Sequence, residues 1–186
     1  MYKALIIGGS AGSFQVVTKI LSSLDYKLQV PVFLVLHRLK HVRKGFVESL
    51  NIKSKILVKE PYDKENFKKG IAYLAPANYH MYFDYGNRIN LSTEPMINHS
   101  RPSIDLSFTA AAYMFQNKLI AVILSGANKD GAKGMKVISE FGGVTIVQDP
   151  RDCQVDTMTK GTLDLIKPNY VLDRDGIVVK LKQLLK

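Results

Sequence analysis

Tyr2-Lys3-Ala4-Leu5-Ile6-Ile7-Gly8-Gly9-Ser10-Ala11-Gly12 is a short apolar run that closes on a glycine-flanked serine. Beyond it Phe14, Val17, Leu21 and Leu24 recur at helical spacing. Strand, tight turn and helix in that order are the opening of an α/β unit. The G-x-S-x-G spacing from Gly8 to Gly12 is that of a nucleophile elbow, which pushes the serine hydroxyl out of the chain. The same turn also reads as the first glycine-rich turn of a nucleotide-binding βαβ unit, or as a plain tight turn. The pentapeptide alone does not choose between them.

The rest of the chain continues the alternation. Residues 31–36 (PVFLVL) form a continuous apolar run, as expected of a strand buried on both faces. Residues 41–50 read as helix and 55–59 as strand. Residues 70–76, 80–85 and 88–92 are strand-like, with Gly86-Asn87 a hairpin signal between the last two. Ser103 is a candidate N-cap for a helix whose Ile104, Phe108, Ala111 and Phe115 share a face. Residues 119–124 read as a buried strand, 131–141 as helix, 144–147 as strand, 157–166 as helix, 170–172 as a short strand and 175–185 as helix. The expected architecture is one α/β domain over residues 1–186: a doubly wound, mostly parallel sheet flanked by helices, with an inserted antiparallel β-hairpin.

Composition narrows the function classes. The 186 residues are 46% hydrophobic and 23% charged, the values of an ordinary globular protein. No apolar run is long enough to span a bilayer and no signal-peptide pattern opens the chain, so the expected compartment is the cytoplasm, without direct membrane insertion. The single cysteine, Cys153, is expected to pack, and a zinc centre is not expected. The net charge is +10, and residues 38–69 hold ten Lys/Arg against four Asp/Glu. No helix-turn-helix, zinc spacing or aromatic-basic interleaving accompanies that charge, so nucleic acid is not the expected partner. A lysine-rich solvated face and attraction of an acidic protein substrate both fit it.

Ligands of open α/β sheets bind outside the carboxyl ends of the strands. Ser10 ends the first strand, His37 follows the 31–36 strand, and residues 125–131 (SGANKDG) end the 119–124 strand with Asp130 among them. Nucleophile, imidazole and carboxylate at one edge are the parts of acyl transfer. Each also has a structural reading: His37 as a strand-end histidine, Asp130 as an N-cap. Their order, Ser-His-Asp, differs from that of α/β-hydrolases, and the HGGG-type loop of lipases is absent.

These residues fall within a wider resemblance. The stations Ile7–Gly12, Val35-Leu36-His37, Gly70–Pro76, His80, Arg101-Pro102-Ser103-Ile104-Asp105, Ile123–Ala132 and Val147-Gln148-Asp149 resemble the catalytic domain of the chemotaxis protein-glutamate methylesterases (CheB-type), in order and over essentially the whole chain. The resemblance implies a cofactor-free serine carboxylic-ester hydrolase acting on glutamyl methyl esters of chemoreceptor cytoplasmic helices, with deamidation of glutamines as a second activity. It implies Ser10 as nucleophile, His37 as general base and Asp130 as orienting carboxylate. Ala11, Gly126, Ala127 and Asn128 are candidates for the oxyanion or substrate site, and Arg101 is a further candidate with a structural alternative.

The chain departs from the family pattern at Ser13 (commonly glycine), Leu36 (commonly glutamine), residues 125–128 (commonly Thr-Gly-Met-Gly) and Thr159 (commonly proline). Family members often carry an N-terminal receiver domain, whereas here residue 2 already begins the catalytic fold. Control is therefore expected to come from a partner, from a separate polypeptide such as a receiver or methyltransferase protein, or from substrate availability, or to be missing. The alternatives are a receptor-binding module without activity, motivated by the 125–128 loop, and a nucleotide- or phosphate-binding domain.

Overall fold

The strand that carries the glycine turn lies at the centre of the sheet. In a computed structural model that describes residues 1–38 and 45–186, the chain runs β1 (Ala4–Gly9), α1 (Phe14–Ser23), β2 (Val32–Leu36), α2 (Phe46–Lys53), β3 (Leu57–Lys59), β4 (Glu65–Asn66), β5 (Ile71–Leu74), β6 (His80–Asp84) and β7 (Arg88–Ser92). It continues through α3 (Ile104–Phe115), β8 (Leu119–Ile123), α4 (Ala132–Glu140), β9 (Val144–Gln148), α5 (Thr157–Leu163), β10 (Tyr170–Leu172) and α6 (Arg174–Leu184). The helix expected over 41–50 is found at Phe46–Lys53; residues 41–44 of that expectation lie outside the described residues.

Seven strands form one sheet in the order β10-β9-β8-β1-β2-β5-β3, and each adjacent pair is parallel. β1, β2 and β8 are buried along their whole length, which is why they read as unbroken apolar runs rather than alternating ones. The strand period of two splits their side chains between two cores. Leu5, Ile7, Leu34 and Val122 pack with Val17, Leu21 and Leu50 of α1 and α2 and with Ile177 of α6. Ala4, Ile6, Phe33 and Ile123 pack with Phe108 of α3, Met135 of α4 and Met158 of α5. Helices thus cover both faces, and the doubly wound expectation holds.

The inserted antiparallel element is larger than the expected hairpin. β6 and β7 pair as read, and β4 adds to the free edge of β7, giving a three-stranded sheet in the order β4-β7-β6. Glu65-Asn66 is too short and too polar to carry a periodic signal. The hairpin closes through Tyr85, Gly86 and Asn87, with Asn87 at φ 57°, so the connection has three residues with the left-handed position last.

Two glycines fix how closely the layers approach. A Cβ on Gly8 would come within 2.6 Å of Ile104 and 2.9 Å of Phe108, so α3 can lie against β1 only because that position is bare. Gly12 turns the chain into α1 at φ +82°, a conformation that other residues adopt at a cost. The chain moves outward from β1 to β2, then returns to the other side of β1 at β8. That reversal opens a crevice at the carboxyl ends of β1, β2 and β8.

Candidate active site

Ser10 stands where β1 ends. Its N–H donates to the Ser125 carbonyl (2.9 Å), and its own carbonyl accepts from the Ser13 N–H (3.0 Å) and hydroxyl (2.7 Å). The elbow is therefore pinned from β8 on one side and from the start of α1 on the other. Ser10 is half-buried and Ala11 exposed.

Beneath the elbow a polar chain runs from buried Ser125 and Gln148 out to half-buried Asp152 and Arg174. The Ser125 hydroxyl lies 2.7 Å from the Ala11 carbonyl and 2.9 Å from the Val155 carbonyl, and it accepts the Val155 N–H at 3.0 Å. The Ser125 N–H donates to Gln148 Oε1 (3.0 Å), whose Nε2 donates to Asp152 (2.8 Å), which Arg174 in turn holds (2.8 Å). Ser125 keeps the hydroxyl of the threonine it replaces relative to the family pattern. The buried hydroxyl therefore still ties three loops together.

His37 follows β2, and its N–H donates to the Gly9 carbonyl (3.1 Å), extending the β1–β2 ladder by one bond. With Gly9 opposite Leu36, Ser10 and His37 come at the ends of neighbouring parallel strands, about 4.8 Å apart in the hydrogen-bonding direction. The imidazole Nε2 lies 2.9 Å from Asp130 Oδ2. A carboxylate can only accept, so Nε2 carries the proton and Nδ1 holds the free lone pair. No hydrogen bond joins the Ser10 hydroxyl to the ring among the described residues. In unliganded enzymes such bonds are often open and tighten only with substrate.

Asp130 is fully buried. Besides His37, Oδ2 accepts the Ile104 N–H (2.7 Å); Oδ1 accepts the Ser103 hydroxyl (3.0 Å), the Asp105 N–H (3.1 Å) and the Asn98 amide (3.4 Å). Its carboxylate thus sits at the positive end of α3. Burial works to raise its pKa, but the His37 bond and then the Ile104 and Asp105 N–H groups prevail and hold it below the usual carboxylate value. The N-cap reading of Asp130 is corrected in one respect. The N-cap of α4 is Gly131, and Asp130 caps α3 instead. Ser103, the expected N-cap of α3, accepts the Leu106 N–H as read.

The candidate oxyanion residues divide. The Ala11, Ala127 and Asn128 N–H groups donate to no described residue, whereas the Gly126 N–H donates to the Val155 carbonyl at 3.0 Å. Gly126 therefore has no donor left, and a Cβ there would meet Met158 at 2.5 Å, so its place is in packing. The Asn128 side chain accepts the Asp130 N–H (3.1 Å) and reaches the Ser100 hydroxyl (3.5 Å). Arg101 binds Asn78 Oδ1 through Nε (3.1 Å) and Nη2 (2.7 Å), and the Thr93 and Glu94 carbonyls through Nη1 (2.6 and 2.8 Å). Its structural alternative is the one the geometry favours. His80 is buried, accepts the Ser103 N–H at Nδ1 (3.1 Å) and donates from Nε2 to Pro95 (3.1 Å), so it holds the approach to α3. A cavity of about 400 Å³ adjoins Asp130, lined by Asn98, His99, Asn128, Lys129 and Lys133 among others.

Residues 5–181 match the family described as CheB methylesterase. The chain belongs to the CheB methylesterase family. A putative protein-glutamate methylesterase/protein-glutamine glutaminase of Leptospira interrogans is 36% identical over 176 residues, covering 95% of this chain and 91% of the relative. A protein-glutamate methylesterase/protein-glutamine glutaminase of Clostridium acetobutylicum is 34% identical over 184 residues, covering 99% of this chain but 53% of the relative. The crystal structure of the Thermotoga maritima CheB methylesterase catalytic domain superposes with a TM-score of 0.93 at 32% identity, covering 99% of both chains.

Within this CheB methylesterase fold, Asn98, Asp105, Ser125 and Gln148 carry parts of the site that residue-type reasoning left without a role. Asp105, Ser125 and Gln148 stood inside the family stations, so the signal was present. Their partners lie on other elements and could not be read. Among the described residues no group of His, Cys, Asp and Glu side chains is arranged to hold a metal, and no helix is long and apolar enough to cross a membrane.

Proposed function

We propose that this chain hydrolyses glutamyl methyl esters of a protein by a Ser-His-Asp mechanism. The observation that carries the reading is the 2.9 Å bond from His37 Nε2 to a fully buried, charge-stabilised Asp130, at the strand edge that also bears Ser10. The Ser10 hydroxyl attacks the ester carbonyl while His37 Nδ1 takes its proton. The N–H groups of Ala11 and of residues 127 and 128 are the donors available to the oxyanion. Collapse of the tetrahedral species expels methanol, which takes the proton from His37. Water, deprotonated by the same nitrogen, then releases the glutamate and restores Ser10. Asp130 holds the ring with Nε2–H inward and stabilises the imidazolium; relative to the common triad, the two ring nitrogens exchange roles. A glutamine side chain would follow the same course with ammonia as leaving group, the second activity in the relatives' names.

Methylated cytoplasmic helices of chemoreceptors are the proposed substrate, with the cytoplasm as the compartment and a separate receiver or methyltransferase protein as candidate partners. The +10 net charge supports attraction to an acidic helical protein. A serine-directed fluorophosphonate followed by peptide mass spectrometry tests the reading. A single adduct on Ser10, prevented by a methyl-esterified receptor fragment, is expected. Folded protein that stays unlabelled at Ser10 would favour the receptor-binding module without activity.

A further inference from the structure

Two carboxylates share one buried corner of the site. Asp130 and Asp105 are 0% and 8% exposed, and the Asp130 charge is close enough to disfavour that of Asp105. Asp105 Oδ1 accepts the Gly131 (2.9 Å) and Gly134 (2.8 Å) N–H groups, so it anchors the chain immediately after Asp130. One amide reaches both acids: Asn98 Nδ2 lies 3.3 Å from Asp105 Oδ2 and 3.4 Å from Asp130 Oδ1. Asn98 is delivered by a tight two-residue turn, with Ile97 and Ser100 exchanging both backbone hydrogen bonds (3.2 and 2.9 Å). Both central residues, Asn98 (φ 51°) and His99 (φ 59°), are left-handed. A non-glycine pair in that conformation is costly and persists where surrounding structure holds it.

We propose that Asn98 is a positioning residue for the reaction assigned to this site, its amide clamping the Asp105 and Asp130 carboxylates so that Asp130 keeps its charge and its aim at His37. This rests on the proposed function only where activity is the readout. The other titratable or charged groups facing the pair are His37 beyond the end of β2, Lys133 on α4, and His99, Lys129 and Asp164 around the same cavity. Among the described residues, Asn98 alone offers both acids a neutral double donor.

The test compares wild type with Asn98→Gly, which keeps the left-handed turn without strain but lacks the amide, and with Asn98→Asp, which keeps the size and loses the donor. Kinetics on a methyl-esterified receptor fragment should show kcat reduced about 10- to 100-fold in each, with KM nearly unchanged and the acid limb of kcat moved to higher pH. Independently of activity, side-chain carboxyl ¹³C NMR should show Asp130 and Asp105 titrating at higher pH in both variants. Should Asn98→Gly fail to fold, Asn98→Ala, which also lacks the amide and adds no charge, carries the comparison. Wild-type kcat together with wild-type carboxyl titration in the folded variants overturns the clamp. If wild type itself releases no methanol, the proposed function fails, and the carboxyl titration alone decides the clamp.

Discussion

Asp130 and Asp105 cap each other's helices. Asp130 precedes α4 yet accepts the first N–H groups of α3, at Ile104 and Asp105; Asp105 belongs to α3 yet accepts the Gly131 and Gly134 N–H groups that open α4. Each helix start offers unpaired donors and a partial positive charge. The exchange ties α3 and α4 together at the edge of the sheet where His37 emerges. A carboxylate that structural need has already fixed is a good support for an imidazole, because it cannot turn away when the ring becomes charged.

Asp130→Asn should therefore damage both activity and stability. The amide must present an NH2 to one of the donors that now converge on the carboxylate. A loss of about 1–3 kcal/mol in urea unfolding is expected from the buried mismatch. Turnover should fall by roughly 10⁴, since the ring loses both its tautomer and the partner of its charged form. Methanol release by the folded variant measures the second effect apart from the first.

The pH dependence of stability follows from the same carboxylate. The folded state holds Asp130 below its ordinary value of 3.8, so its contribution is complete above that pH and is lost as pH falls through the folded value. Asp105 acts oppositely: burial, and then the neighbouring Asp130 charge, raise it against its Gly134 and Gly131 bonds, so its charging costs stability as pH rises past 3.8. The stability difference between wild type and Asp130→Asn should be constant near neutrality and shrink below about pH 4. Urea titrations from pH 3 to 7 would reveal this, and a difference that grew on acidification would contradict it.

Much of this arrangement was legible in the sequence. The unbroken apolar runs 31–36 and 119–124 announced strands buried on both faces, and strand-end placement alone put Ser10, His37 and the 125–131 loop at one edge. What escaped were relations between distant elements. The helix capped by Asp130 starts 26 residues earlier, at Ile104, whereas an N-cap reading looks only to the residues that follow. Arg101 was a candidate for a substrate carboxylate with the structural role favoured; its geometry engages Asn78 and two loop carbonyls, none of them local in sequence. Glu65-Asn66 became a strand only because β7 offered it an edge.

Ser125→Ala should weaken the elbow without touching the reacting groups. It leaves the half-buried Val155 N–H without its acceptor and removes the hydroxyl donor shared by the Ala11 and Val155 carbonyls. A stability loss of about 1–3 kcal/mol is expected, with kcat reduced and KM little changed. Denaturation and steady-state methanol release on the same preparation would measure both. A variant with lowered stability and full kcat would show that the polar chain beneath Ser10 serves the fold alone.

The central claim is that Ser10 is the nucleophile, and methanol release from a methyl-esterified receptor fragment by wild type and by Ser10→Ala tests it most directly. The account predicts a fall of about 10⁴ to 10⁶ in kcat with folding unchanged. Release by Ser10→Ala at the wild-type rate would contradict it.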